Sequence, residues 1–172
     1  MNLVKVHTLI MKPFVEESVK ALEKMAGLKA VPQKGEQRPA QDFRFNGYAV
    51  CLPTRLDNAP HGFVVMNYDK KLALTLGSKM HLWMLGTPPD PERVWEDVSE
   101  LLTEHANTAI GLAIHRLHRA ELNLSFSAPL FTTTSRELEE LIADVRDTLT
   151  IPINVEEVGP FEFVYMMYTP LE

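Results

Sequence analysis

The stretch from Asp90 to Arg119 most constrains what this chain can become. Asp90 followed by Pro91 reads as a helix start, a capping carboxylate and then a proline at the first helical position. Glu92 behind them favours the helix dipole. The helix predicted to follow runs to about Arg119 and turns roughly 100° per residue. On that wheel Val94, Val98, Leu101, Leu102, Ala106, Ala109, Ile110 and Ala113 fall on one broad side. A helix of this length with one apolar side has to lay it against a second layer. The opposite side carries Asp97, Glu100, Glu104, Asn107, Thr108 and Gly111.

That polar side contains an oddity. Asn and Gly inside a helix both cost stability relative to Ala, about 1 kcal/mol for Gly. A water-facing Asn107 and Gly111 therefore need a reason outside the helix. Glu104 and Asn107 are one turn apart, so their side chains are neighbours. Gly111, one turn further, would let another molecule's backbone come close. His105 points toward the apolar side and reads as a core or rim residue, not a catalytic base. The pattern Glu-x-x-Asn is short, and on an exposed helix it is often only a solvated face.

Helix and strand signals alternate along the rest of the chain. Pro13 suits the first turn of a helix whose apolar period runs through Phe14, Val15, Ser18, Val19, Leu22, Met25 and Ala26, with Gly27 ending it. "LKAVP" reads as a short strand, and the polar segment 34–46 as a loop. "GYAVCLP" and "HGFVVMNY" predict two antiparallel strands joined by "TRLDNAP". Asp69 caps a predicted helix from Lys70 to about Leu82. "ELNLSFSAPLF" alternates like a half-buried strand. Thr134 and Glu137 form a capping box ahead of the predicted helix "SRELEELIADVRDTL", and "IPINVEEV" with "FEFVYMMY" reads as a closing hairpin. The order predicts a single α+β domain over 1–172, an antiparallel sheet packed with helices.

Composition excludes several functions. The formal charge of −6, without any long basic run, disfavours nucleic acid as a partner. One cysteine, Cys51, excludes an internal disulfide and reads as a buried small residue in a strand. No Cys/His spacing suits a metal, and His115 with His118 reads as surface histidines. No apolar run is long enough for membrane insertion, and "MNLVKVHTLIMKPF" lacks the long apolar core of a signal peptide, so a cytoplasmic protein is expected. Trp83, Trp95, Met166 and Met167 read as packing residues. No Ser-His-Asp order or glycine-rich phosphate loop stands out.

Several stretches, taken in order, resemble the CheX-type chemotaxis phosphatases of the CheC/CheX/FliY-like family. "MKPFVEESVKALEKMAGLK" resembles their opening helix and "GFVVMNYDKKLALTLGSKM" their strand followed by a helix. "SELLTEHANTAIG" resembles their signature helix, in which Glu, Asn and Gly recur in that order, and "ELNLSFSAPLF" the strand after it. The matches cover most of 11–131. Thr103 stands where many relatives have Gly, His105 is bulky for its place, and 132–172 diverges from the family pattern. The resemblance implies a CheC/CheX-like fold and a phosphatase acting on the phospho-aspartate of a receiver domain such as CheY. By position, Asn107 would orient the attacking water and Glu104 would engage the receiver's active-site lysine. Gly111 aligns with the motif's glycine, and Glu100 and Thr108 would lie in the partner-binding surface. No cofactor of its own is implied, only Mg²⁺ on the receiver. Family dimers pair through strands, and the divergent C-terminal part leaves a homodimer open. Glu16 and Glu17 are followed three residues later by Val19 and Lys20, so only one Glu-x-x-Asn site is expected. Two other readings remain: a non-catalytic module that binds receivers, and an assembly component related to flagellar-switch proteins.

Overall fold

The alternating apolar periods resolve into one antiparallel sheet with helices on both faces. In the computed structural model, which describes residues 5–57 and 59–168, helix α1 (Lys12–Ala26) continues directly from a π-helical stretch, Val6–Met11. Pro13 therefore lies within a helical path and does not open it. The apolar period extends upstream, since Val6, Ile10 and Met11 are buried, and the pitch widens just ahead of the proline, with Lys12 N–H reaching back to the His7 carbonyl. Residues 1–4, part of the N-terminal stretch read above, and Asn58 of "TRLDNAP" lie outside the described residues. Strands β1 (Ala30–Pro32), β2 (Glu36–Pro39), β3 (Gly47–Leu56) and β4 (Ala59–Asp69) follow. The Asp69 carboxylate accepts from Leu72 N–H at 2.8 Å and opens α2 (Lys70–Leu85). After it come α3 (Val94–Arg119), β5 (Leu124–Phe126), β6 (Leu130–Thr132), α4 (Ser135–Ile142), β7 (Asp147–Val155) and β8 (Gly159–Met167).

The sheet runs β1-β7-β8-β4-β3-β5, with β2 also on β7 and β6 also on β3. Each edge is thus made of two short strands, which limits the open edge available for pairing with another chain. Strand alternation divides the side chains between two faces. Val50, Leu52, Val64, Met66, Phe163 and Tyr165 join Phe14, Leu22, Leu76, Met80, Leu102 and Ala106 in the main core beneath α1, α2 and α3. Ala49, Cys51, Val65, Val164 and Met166 form a smaller cluster on the other face, under Leu138 and Val145.

Several boundaries differ from the sequence expectation. Helix α3 starts at Val94, because Asp90 first closes a turn: its carboxylate accepts from Glu92 N–H at 2.9 Å and its carbonyl from Arg93 N–H at 3.0 Å. Segment 34–46 is not simply a loop, since it contributes β2 and a 3₁₀ turn, Ala40–Asp42. Buried Asn67 pins it by accepting from Asn46 N–H at 3.0 Å and donating to the Arg44 carbonyl at 2.9 Å. "ELNLSFSAPLF" splits into β5 and β6, both on β3. The helix after Thr134 stops at Ile142, because Leu149 is claimed by the main core as part of β7. Its capping box is half formed: Thr134 accepts from Glu137 N–H at 3.4 Å, while the Glu137 carboxylate takes the Thr132 hydroxyl at 2.6 Å. Met166 and Met167 are buried; Trp83 and Trp95 are 62% and 40% exposed but still pack, Trp95 stacking on Tyr48 with ring centroids 4.8 Å apart and Trp83 lying against Gly27.

Candidate functional site

The roll of α3 is set by what it buries. Val98, Leu102, His105, Ala106, Ala109, Ile110, Ala113 and Leu117 face inward, as the wheel predicts apart from Val94 and Leu101, which are partly buried at the margin. His105 locks that roll. Its Nε2 lies 2.9 Å from the Ser18 carbonyl of α1. Burial pulls its pKa down to about 4, so the ring is neutral near pH 7 and its one N–H sits on Nε2, donating to that carbonyl. The Nδ1 atom is buried with no partner among the described residues. Near the far end of α3, Arg116 donates to Glu16 at 2.6 Å and to Glu17 at 3.1 Å. Burial raises the Glu17 pKa, but hydrogen bonds from Lys20 and Arg116 outweigh that and leave it below the ordinary value. The two glutamates of α1 are thus used in joining α1 to α3.

With His105 turned inward, Glu104 and Asn107 on either side of it are exposed. No hydrogen bond or ion pair engages either side chain among the described residues. Both line a groove of about 550 Å³ between α2 and α3, with His81, Leu85, Asp97 and Glu100 around them. His81 Nδ1 lies 2.7 Å from the Thr87 carbonyl, and its Nε2 is 3.8 Å from the Asp97 carboxylate. No lysine or arginine lines the groove. The groove therefore brings together Glu100, Glu104 and Asn107. Thr108 is half-buried and Gly111 exposed, and neither lines it. A Cβ at Gly111 would meet nothing within 4 Å, so packing within the chain does not require glycine there.

Sequence reasoning missed His81 and Leu85, which come from α2. The signal was the apolar run "HLWML" just before Gly86, longer than a helix ending near Leu82 needs. The groove's chemistry is that of orientation and binding. Cys51 is buried and its thiol is pushed up to about 12 by burial, so it is no nucleophile. Among the described residues no group of three or more His, Cys, Asp or Glu is placed to hold a metal ion, and no helix is long and apolar enough to cross a membrane.

The sequence matches no protein-family model and no curated protein. The fold does match solved structures. The chemotaxis protein CheX of Desulfovibrio desulfuricans superposes with a TM-score of 0.71 at 17% identity, covering 92% of this chain and 98% of that one. A chain of the CheX–CheY–BeF3–Mg²⁺ complex from Borrelia burgdorferi gives 0.68 at 18% identity, covering 92% and 97%. FliY of Thermotoga maritima gives 0.62 at 15% identity, covering 90% and 83%. The chain has the α+β fold shared by CheX, CheC-like and FliY chemotaxis proteins.

Proposed function

We propose that this chain, with its CheC/CheX/FliY-like fold, is a phosphatase acting on the phospho-aspartate of a CheY-like receiver domain. The observation that carries the reading is the pairing of Glu104 and Asn107, exposed and without partners among the described residues, on a helix whose roll is locked by His105 between them. An acyl phosphate is already labile, so catalysis needs position more than covalent chemistry. The Asn107 amide accepts a hydrogen bond from the attacking water and holds it in line with phosphorus, adding no negative charge beside the phosphate. The water oxygen bonds to phosphorus, and the P–O bond to the aspartate breaks with its electron pair leaving on the carboxylate. The water's proton passes to the departing inorganic phosphate. Mg²⁺ held by the receiver offsets the charge. Glu104 pairs with the receiver's active-site lysine and fixes register. The inward packing of His105 accounts for one departure from the family pattern, since that residue serves the helix and not the chemistry.

Steady-state dephosphorylation of receiver domains from the organism that encodes this chain tests the assignment of roles. Glu104→Ala is expected to raise KM, and Asn107→Ala to lower kcat. If wild-type protein binds a phosphorylated receiver without changing its decay, the non-catalytic module is the correct reading.

A further inference from the structure

The last turn of α2 is unusual for a helix end in water. Leu82, Trp83, Met84 and Leu85 are 52%, 62%, 47% and 63% exposed. Four consecutive residues span the whole circumference of a helix, so this end is apolar on every side. Gly86 closes it in the left-handed conformation, and a Cβ there would meet nothing within 4 Å. Contiguous apolar surface of this kind marks an interaction site. Trp83 has a local use: its ring lies against Gly27, and its Nε1 donates to the Lys24 carbonyl at 3.2 Å. Leu85 lines the groove that holds Glu104 and Asn107. Leu82 faces a second groove with Leu74, Pro88, Pro89 and Val94, so Leu85 is the residue of the four that joins the apolar end to the acidic surface around Glu104. Asp97, Glu100 and Glu104 give that surface a single sign of charge, and a complementary partner carries apolar side chains beside lysine or arginine.

We propose that the bare end of α2, centred on Leu85, is the second half of the receiver-docking surface. It takes an apolar patch flanked by basic residues beside the receiver's phospho-aspartate. This rests on the phosphatase reading above. Glu104 and Asn107 reach the reacting group, while the α2 end selects which receiver stays long enough to react. Anchors of this kind act mainly through dissociation, so their loss is seen in KM.

The experiment is the decay of acetyl-phosphate-labelled receiver domains at varied receiver concentration, with wild-type, Leu85→Ala, Leu85→Glu and Leu130→Glu proteins. Leu130 is the control, since it is 45% exposed and pairs with Cys51 on the sheet face away from α1–α3. Leu85→Glu is expected to raise KM about tenfold or more with kcat within about twofold, and Leu85→Ala to raise it about threefold. Leu130→Glu is expected to match wild type. A wild-type rate enhancement with KM unchanged in Leu85→Glu overturns the docking role and leaves the phosphatase reading standing. A dimer dissolved by Leu85→Glu, again with KM unchanged, assigns this surface to a second copy of the chain and overturns the proposal. If wild-type protein accelerates no receiver's decay, the phosphatase reading itself falls and takes this proposal with it.

Discussion

At the scale of single residues, Gly111 and His105 show how a helix can be shaped for something outside itself. Gly111 sits in open space, so an alanine there costs no packing and gains helix propensity. Gly111→Ala is expected to stabilise the fold by up to about 1 kcal/mol, read by urea denaturation, while raising KM for the receiver. A stabilised variant with unchanged KM would show that the glycine serves no close approach. His105 leads to a pH dependence. Unfolded, its imidazole titrates near its ordinary value of 6.5, whereas burial lowers it to about 4 in the fold. Between those values the unfolded chain binds the extra proton, so stability is full above the upper one and is lost as pH falls toward the lower. Between about pH 7 and about pH 5 the loss from this one group is about 2 kcal/mol. His61, also lowered by burial, adds in the same direction. His105→Gln is expected to be less stable near neutrality and to show a flatter dependence, measured by urea midpoints across that range.

At the scale of elements, the same residue type has the opposite meaning on α2. A Cβ at Gly77 would lie 2.7 Å from both methyls of Val98 on α3, so glycine there sets how closely α2 and α3 cross. Gly77→Ala is expected to destabilise by about 1–3 kcal/mol despite its better helix propensity, with the midpoint of denaturant unfolding as the readout. The sequence shows both glycines inside helical periods and cannot separate them, because the difference lies in what a Cβ would touch. The inward face of α3 was legible because its apolar residues recur at helical spacing, and so was the outward placement of Glu104 and Asn107. The end of α2 was not. A run such as "HLWML" reads equally as a buried helix end or as a bare one, and only the exposure of Leu82, Trp83, Met84 and Leu85 in the fold distinguishes them. The capped starts at Asp69 and Thr134 were legible, whereas the start of α3 was not, because Asp90 uses its carboxylate on a turn that precedes the helix.

At the scale of the whole molecule, the sheet is a support that presents one groove. Its central strands come from the two hairpins β3–β4 and β7–β8, both visible as paired apolar runs in the sequence. Its edges were less visible. The three-residue strands β5 and β6 each need β3 to exist, and the pairing of β2 with β7 joins segments more than 100 residues apart. The acidic balance of the chain also has a place, since three carboxylates and no lysine or arginine line the groove. The central claim is that this groove hydrolyses a receiver's phospho-aspartate through water oriented by Asn107. Its most direct test is the single-turnover decay of a phosphorylated CheY-like receiver in saturating wild-type or Asn107→Ala protein. The account predicts that wild type speeds the decay and that Asn107→Ala loses on the order of 10²-fold or more of that enhancement. Equal acceleration by the two proteins would contradict it.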